Sequence, residues 1–408
     1  MKITYIHQYF NTPQMSGSTR SYEMARRLVN FGHDVNMITS WRVDDGRRGG
    51  FVSNESGINV HWLPVPYSNY MNYKERLRSF VKFSYEAARK AAQLPSDIVF
   101  ASSTPLTIAL PAIYAAHRKS VPMVFEVRDL WPDIPIAIGA IKHPILKWLA
   151  KRLELFAYRH SDLVVALSPG MKEGVVLSGY PPDRVIVITN CSNLTRFSPD
   201  PIAKQKFRAE HGIPQDAILV TYTGTLGKIN GVAYLVDLAE LCRGDRRLYF
   251  LTVGDGAEFM EVKRLAERAG CLGTNFKMLP PVPKIDVPKV LAATDIAIST
   301  TIPLKELEAN SANKFFDGLA AGCCIAVNHG GWLAELIETS GAGFRLSTDI
   351  EQAACDLCGW IDNQERIFAA KCHARKLAEE RFSIDMLAAE LERVLVRAVT
   401  VEGVKSIV

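Results

Sequence analysis

Short apolar runs recur along the first half of the chain, separated by polar segments that contain glycine or proline. Each run is nearly continuous in apolar character, which is typical of a strand buried on both faces of a sheet. The runs occupy residues 2–10, 35–40, 58–63, 96–102, 122–129, 163–168 and 184–190. Helical spacing fills the segments between them. The pattern therefore predicts alternating strands and helices around a parallel sheet.

A turn-rich, proline-punctuated segment at residues 189–204 interrupts this series, and a second α/β series begins beyond it. Its strand-and-turn or strand-and-helix segments occupy residues 217–241, 248–256, 276–283, 295–301 and 324–338. At 408 residues the chain is long enough for two domains. We expect two doubly wound, Rossmann-like α/β domains at residues 1–195 and 196–383. The last helix, within residues 384–408, is expected to pack back on the first domain.

Composition places the chain among globular proteins, with 48% hydrophobic and 22% charged residues. No apolar run approaches the roughly 20 residues that span a bilayer, and the chain opens with a strand rather than a signal peptide, so we expect a cytoplasmic protein. The eight cysteines are expected to be reduced. Cys355, Cys358, Cys372 and His373 leave a zinc site as a less favoured alternative, because a second close pair is missing.

Two segments combine basic and apolar residues at helical spacing, at residues 72–92 and 142–160. The net charge of the chain is +5, and basic amphipathic helices suit the surface of an anionic membrane. The alternative is that both are ordinary amphipathic helices packed on a core. Peripheral attachment to the inner face of the membrane is therefore one of two interpretations, and we expect no binding of nucleic acid.

The stretch at residues 304–331 has the most distinctive chemistry. A short polar loop carries Glu306 and Glu308, and a predicted helix then begins near Asn313 and Lys314 and contains Asp317. Backbone N–H groups at a helix N-terminus suit a phosphate, and carboxylates accept hydrogen bonds from sugar hydroxyls. This combination predicts a nucleotide-sugar site. The alternative is a capped surface helix without a ligand.

Glycine-rich turns follow several predicted strands. The turn at residues 224–231 combines Gly224 with Lys228, and the loop after the first strand contains Gly17. Backbone amides and an ammonium group in such turns suit a phosphate. The first loop lacks the glycine pattern of dinucleotide-binding folds, which argues against an NAD-dependent enzyme. Arg128 and Asp129 lie at the end of another apolar strand. They are interpreted either as a functional pair or as a structural ion pair.

These motifs, in this order, resemble the GT-B retaining glycosyltransferases of family 4. The resemblance rests on PQMSGSTRSYEMARRLVNFGHDVNMITS, VIVITNCSNLTRFSPD, LTVGDG and NKFFDGLAAGCCIAVNHGG. FEVRDLWPDIPIAIGAIK is further similar to a bacterial branch that builds O-antigen, capsule and colanic-acid polysaccharides and includes N-acetylfucosamine transferases. The implied architecture is GT-B, with two domains facing each other across a cleft.

The resemblance also implies roles for single residues. Gly17 would approach the donor diphosphate, Asp317 would hold the ribose, and Glu308 would contact the donor sugar. The arginine and lysine that clamp the diphosphate in the family would fall at Thr225 and Asn230, so Lys228 and Lys314 are the expected substitutes. These substitutes, with Gly224 and Asn313, complete the expected donor site. Arg128 replaces the family's histidine, with Asp129 beside it.

Such enzymes move a sugar from a nucleotide donor and keep the anomeric configuration, without a metal or cofactor. The branch implies a UDP-sugar with an N-acetylated or deoxy hexose, and an acceptor sugar carried on a polyprenyl diphosphate. Two alternatives remain at this point. One is a UDP-sugar epimerase of the same fold, and the other is a non-catalytic partner in polysaccharide assembly that lacks the clamping charges.

Overall fold

The structure, a computed structural model, describes residues 1–68 and 70–405, and for residues 401–405 it describes the backbone alone. The chain divides into two compact units. The first contains Met1–Thr12, Ser18–Thr189 and the chain from Asp385 onward, and the second contains Pro13–Gly17 and Asn190–Ile384. The boundary between Thr189 and Asn190 lies at the start of the turn-rich segment noted in the sequence.

An eight-stranded sheet forms the centre of the first unit, in the order β3-β4-β2-β1-β5-β6-β7-β8. The strands are β1 (Lys2–Ile6), β2 (Asp34–Trp41), β3 (Phe51–Glu55), β4 (Ile58–Pro64), β5 (Ile98–Ser102), β6 (Met123–Val127), β7 (Leu163–Ala166) and β8 (Val185–Val187). All neighbours are parallel except β3, which pairs antiparallel with β4 at the edge. This strand was not predicted, because its residues alternate between half-buried and exposed positions rather than forming an apolar run.

Helices cover this sheet, and most connections between its parallel strands run through them. They are α1 (Arg20–Asn30), α2 (Tyr73–Gln93), α3 (Ala109–Lys119), α4 (Asp133–Ala137), α5 (Pro144–Arg159) and α6 (Pro169–Leu177). Asn72 and Glu75 begin α2 with a reciprocal capping box. Helix α5 begins at Pro144, a residue suited to a first turn because its missing N–H needs no acceptor there.

A six-stranded sheet, all of whose paired neighbours are parallel, forms the second unit, in the order β11-β10-β9-β12-β13-β14. Its strands are β9 (Ile218–Thr223), β10 (Leu248–Val253), β11 (Phe276–Leu279), β12 (Ile296–Ser299), β13 (Cys324–Val327) and β14 (Gly343–Arg345). Its helices are α7 (Pro201–Glu210), α8 (Ala233–Leu241), α9 (Phe259–Arg268), α10 (Val287–Ala293), α11 (Asn313–Ala320), α12 (Trp332–Ser340), α13 (Ile350–Ile361) and α14 (Gln364–Arg381). Two Rossmann-like α/β domains therefore confirm the predicted fold class.

The last helix, α15 (Ile384–Lys405), belongs to the first unit from Asp385 onward. Asp385 accepts a hydrogen bond from Arg27 of α1 at 2.5 Å, and Glu392 accepts one from His33 at 2.9 Å. The sequence placed this helix within residues 384–408, of which residues 406–408 lie outside the described part of the chain.

Candidate functional site

The strand order of the second unit changes direction between β9 and β12, which are hydrogen-bonded neighbours. In open α/β sheets, ligands bind outside the carboxyl ends of the strands at such a point. Gly224 directly follows β9, Thr300 and Thr301 follow β12, and the turn Asn328–Gly331 follows β13. The loops that the sequence had singled out therefore lie at the edge of the sheet where ligands are expected to bind.

Lys314 lies in the first turn of α11, close to this switch point. Its ammonium group donates a hydrogen bond to the hydroxyl of Tyr222 at 2.6 Å and lies 3.8 Å from the centre of the same ring. No acidic partner contacts it among the residues described. Burial lowers the pKa of Lys314 to about 7, because removal from water disfavours the charged form. An anion bound here would supply the missing counter-charge.

Gly224 lies closely against the side chain of Lys314. The residue has φ +140°, and a Cβ atom added to it would lie 3.1 Å from Cε and 3.4 Å from Nζ of Lys314. The backbone angle and the close approach both favour glycine. Lys228, in the short 3₁₀ turn Lys228–Asn230 that follows, is exposed and forms no ion pair within the described chain. The turn after β9 thus brings Gly224 against Lys314, and Lys228 remains free for an anionic ligand.

Glu308 lies against the paired glycines of the turn after β13. A Cβ atom on Gly330 would lie 2.9 Å from Oε1 of Glu308, and one on Gly331 would lie closer still to its carbonyl oxygen. Its carboxylate has no hydrogen-bond or ion-pair partner in residues 1–68 and 70–405. The glycines therefore allow the Glu308 loop to approach, and the carboxylate keeps its capacity to accept hydrogen bonds.

Cross-links between loops hold this region in place. The side chain of Asn328 accepts a hydrogen bond from the N–H of Thr301 at 2.9 Å and donates one to its carbonyl oxygen at 3.0 Å. The indole N–H of Trp332 donates to the carbonyl oxygen of Asn310 at 2.8 Å. The loops after β12 and β13 therefore form one connected rim around Glu308.

Asn313 is the first residue of α11, and Ala312 is its N-cap. The methyl side chain of Ala312 cannot accept a hydrogen bond, so no side-chain cap satisfies the first N–H groups of the helix. This is the geometry expected of a helix start that receives a ligand oxygen. The proximity of Lys314 to Gly224 adds an independent feature to it.

Asp317, to which the resemblance assigns the ribose, is buried inside α11 with other partners. One carboxylate oxygen accepts a hydrogen bond from Ser192 at 3.0 Å, and the other receives the ammonium group of Lys284. Both oxygens therefore have partners before any ligand binds. Ribose binding by Asp317 stays a prediction, and Lys284 is a neighbour that spacing along the sequence offered no reason to select.

Gly17 has φ +117° and is exposed. It ends the segment Pro13–Gly17, which belongs to the second unit. Met15 accepts a hydrogen bond from the N–H of Lys284 at 3.0 Å, and Ser16 donates one to the carbonyl oxygen of Val282 at 3.1 Å. The sequence had assigned Gly17 to the first domain, and its role towards a diphosphate is untested.

In the first unit the strand order changes direction between β1 and β5. Arg128, just beyond β6, donates a hydrogen bond to Nε2 of His7 at 3.1 Å and one to Ser18 at 3.3 Å. Because Nε2 of His7 accepts, its Nδ1 carries the proton and donates to Ser21 at 2.7 Å. Burial and the nearby Arg128 hold the pKa of His7 well below its usual range. The neutral imidazole fixes the orientation of Arg128.

Asp129 is half-buried beside Arg128, but no ion pair joins the two side chains. Its carboxylate has no hydrogen-bond partner among the residues described. Burial raises the pKa of Asp129 to about 6, and the positive charge of Arg128 opposes this increase. The alternative of a structural Arg128–Asp129 ion pair is therefore wrong. A carboxylate that titrates near neutral pH is suited to proton transfer.

A buried ion pair that the sequence did not predict supports this region. Arg20 donates two hydrogen bonds to Oε1 of Glu126, at 2.8 and 3.1 Å, and Glu126 also accepts one from Ser102 at 2.5 Å. Burial favours the neutral acid, but Arg20 and Arg128 keep the pKa of Glu126 below its usual value. Arg20 is thus fully engaged in the core.

Two family models match the chain. Residues 17–191 match the glycosyl transferase 4-like domain, and residues 203–375 match the glycosyl transferases group 1 family. A curated human relative, which is one subunit of phosphatidylinositol N-acetylglucosaminyltransferase, is 23% identical over 297 residues. That alignment covers 72% of this chain and 56% of the human protein, so the chain spans little more than half of that relative.

Solved structures also match the chain over nearly its whole length. The Anabaena protein Alr3699/HepE, in complex with UDP-glucose, has a TM-score of 0.73 at 17% identity, and the match covers 97% of this chain and 100% of that one. WaaG, a glycosyltransferase involved in lipopolysaccharide biosynthesis, has a TM-score of 0.69 at 16% identity, with coverage of 95% and 99%. At these identities the likeness establishes the fold.

Proposed function

We propose that this chain, a glycosyltransferase of the GT-B type, moves a sugar from a UDP-sugar to a glycan acceptor carried on a polyprenyl diphosphate, with retention of configuration. The transferred sugar would be an N-acetylated or deoxy hexose, and the product would belong to a bacterial surface polysaccharide. The observation that carries the proposal is the ammonium group of Lys314. It lies against Gly224, at the switch point of the second sheet, without an acidic partner in the described chain.

Each element of the second-unit site has a part in this reaction. Lys314, Lys228 and the start of α11 would bind the diphosphate and stabilise the negative charge that grows on the leaving UDP. Glu308 would accept hydrogen bonds from hydroxyls of the donor sugar. The sugar would pass through an oxocarbenium-like state, and the acceptor would attack from the face on which UDP leaves. A donor phosphate oxygen would take the acceptor's proton.

The comparisons support this choice of donor and acceptor class. HepE binds UDP-glucose, the human relative is named for N-acetylglucosamine transfer to phosphatidylinositol, and WaaG takes part in lipopolysaccharide biosynthesis. All three names concern sugar transfer or sugar nucleotides, and two of them concern lipid-linked products. None of the helices in the described chain is long and apolar enough to cross a bilayer.

The acceptor proposal implies contact with a membrane surface, and the first unit has a suitable face. Helix α3 packs against both α2 and α5. Large apolar side chains are exposed on all three helices, among them Leu77, Val81, Tyr85, Leu110, Tyr114, Ile145, Trp148 and Leu149. Val81 is 60% exposed and Trp148 is 55% exposed. Both predicted helices also pack on the core, through Phe83 of α2 and Ala157 of α5 among others, so the membrane proposal rests on the apolar side chains that they leave exposed.

Charge complementarity favours an anionic lipid surface as the occupant of this face. The exposed basic residues on the same helices are Lys74, Arg78, Lys82, Arg89, Arg118, Arg152 and Arg159. On α2 the acidic residue Glu75 is exposed, and Glu86 is half-buried. Each basic group near an anionic surface contributes about 1 kcal/mol. Helix α3, which the sequence did not single out, contacts the helices of both predicted basic segments.

Calorimetric titration tests the donor half of the proposal. Purified protein should bind UDP more tightly than GDP, and Lys314→Met should remove most of this affinity. Transfer from UDP-N-acetylhexosamines to a polyprenyl-diphosphate-linked sugar, followed by NMR of the product anomer, tests the reaction. Conversion of the donor without any acceptor would favour an epimerase, and absence of UDP binding would favour a non-catalytic partner.

A flotation assay with vesicles tests the membrane face. The protein should float with anionic vesicles at low salt, and less with zwitterionic ones. Val81→Glu combined with Trp148→Glu should abolish flotation. Leu177→Glu is the matched control, because Leu177 belongs to the same unit and is 79% exposed on α6. Equal flotation of the double variant and the control would refute the assignment of this face.

A further inference from the structure

The turn after β13 contains a histidine whose ring has one satisfied and one unsatisfied nitrogen. Nδ1 of His329 lies 2.8 Å from the carbonyl oxygen of Gly330. A carbonyl oxygen only accepts hydrogen bonds, so Nδ1 carries the proton and donates. Burial lowers the pKa of His329 below its ordinary value, so the ring is neutral near pH 7. Nε2 is therefore a hydrogen-bond acceptor with a free lone pair.

This acceptor has no partner within the described chain. His329 is 6% exposed, and its Nε2 is buried without a hydrogen-bond donor in reach. A buried polar atom left without a partner costs about 1–3 kcal/mol, so such atoms require an explanation. The hydroxyl oxygens of Ser299 and Thr301 are likewise buried and unpartnered. Ser299 ends β12 opposite Val327 of β13, so all three atoms belong to the carboxyl ends of adjacent strands.

The surroundings of His329 identify the kind of group that is missing. Gly330, which accepts from Nδ1, is also the residue that leaves space for the Glu308 carboxylate. Glu308, Lys314 and Arg345 are the charged groups whose fields act on the imidazole. Glu308 and Nε2 of His329 both accept hydrogen bonds, so a phosphate oxygen does not match them. A group rich in O–H donors does.

We infer that Nε2 of His329 accepts a hydrogen bond from a hydroxyl group of the transferred sugar. His329 is then a specificity-determining residue that acts beside Glu308, and the diphosphate of the same donor lies towards Lys314. This inference rests on the proposed function, because it assumes that a nucleotide-sugar occupies the site. The transferred sugar must then carry a free hydroxyl group at the position that faces β13.

Two substitutions separate the two nitrogens of the ring. His329→Asn places an amide N–H where Nδ1–H now donates to Gly330, but removes the acceptor at Nε2. His329→Gln places an amide near the position of Nε2, but removes the donor to Gly330. The measurement is calorimetric binding of UDP, UDP-glucose and UDP-N-acetylglucosamine to the full chain. The quantity compared is the affinity for each UDP-sugar relative to that for UDP.

We expect His329→Asn to bind UDP within about twofold of wild type and to lose about tenfold in affinity for the UDP-sugar that wild type prefers, as for one buried hydrogen bond. His329→Gln should keep most of the preference for that sugar. Deoxy analogues of the donor should then identify the hydroxyl. Wild type should bind the analogue that lacks it more weakly than the parent UDP-sugar, whereas His329→Asn should bind the two with equal affinity.

Two results would overturn the inference. If His329→Asn keeps the full preference for the UDP-sugar, Nε2 does not contact the sugar and an ordered water is the simpler partner. If both variants lose affinity for UDP and UDP-sugars equally, the ring only supports the loop. A wild-type chain that binds no UDP would instead overturn the proposed function itself, so the two failures are distinguishable.

Discussion

Lys314 is expected to destabilise the ligand-free protein, and its replacement should reveal this. A pKa of about 7 in place of the ordinary 10.5 corresponds to about 5 kcal/mol, at 1.36 kcal/mol for each pKa unit. Solvent at the half-buried side chain and lost packing of its stem reduce the gain, so we expect Lys314→Met to stabilise the protein by about 1–2 kcal/mol at pH 6.

The pH dependence gives this prediction its sign. Between pH 7 and 10.5 the unfolded chain keeps the proton of Lys314 and the folded chain loses it, so stability rises with pH in this window. The full penalty is present below pH 7. The difference between Lys314→Met and wild type should therefore be largest at pH 6 and shrink towards pH 10, which urea unfolding at several pH values measures.

The same substitution should have the opposite effect on ligand binding. UDP at a hundred times its Kd stabilises a protein by about 2.7 kcal/mol, and Lys314→Met should lose most of that increase. In wild type, affinity for UDP should fall as pH rises above 7, because the neutral amine cannot pair with the diphosphate. Lys314→Arg should remain insensitive to pH. Lower stability of Lys314→Met at pH 6, or an undiminished UDP effect, would refute the reasoning.

Asp295, Asp129 and Gly224 each allow a further test. Asp295→Asn should cost about 3–5 kcal/mol in urea unfolding, because it leaves the buried guanidinium group of Arg208 without its carboxylate partner. Burial would raise the pKa of Asp295, but Lys371 and Lys204 hold this pKa well below its usual range. Wild type should therefore lose this stability as pH falls below about 4, whereas the variant should not. Asp129→Asn should remove the acidic limb of the kcat/KM profile, which wild type should show near pH 6. Gly224→Ala should weaken UDP binding about tenfold by crowding Lys314, whereas Gly212→Ala, at a positive φ with open space, should not.

The sequence predicted most of the strands, because a strand buried on both faces of a parallel sheet must be apolar throughout. It missed β3, whose half-exposed edge position imposes no such run, and β14, which is three residues long. The same reasoning located the loops at the carboxyl ends of the strands, since these loops are where polar residues interrupt apolar runs. It placed Lys314 in the site but not its contact with Tyr222, which lies 92 positions away along the chain.

The single residues of the site were harder to assign, because spacing along a helix fixes a position but not the partners of a side chain. Asp317 occupies the expected position, but its carboxylate neutralises Lys284 and accepts from Ser192. A variant at Asp317 therefore leaves a buried ammonium group unpaired. Loss of UDP binding in such a variant would report damage to α11 as readily as loss of a ribose contact. His329 and Lys314, whose polar atoms lack a complete set of partners within the described chain, are the more informative residues, because their replacement removes no native ion pair.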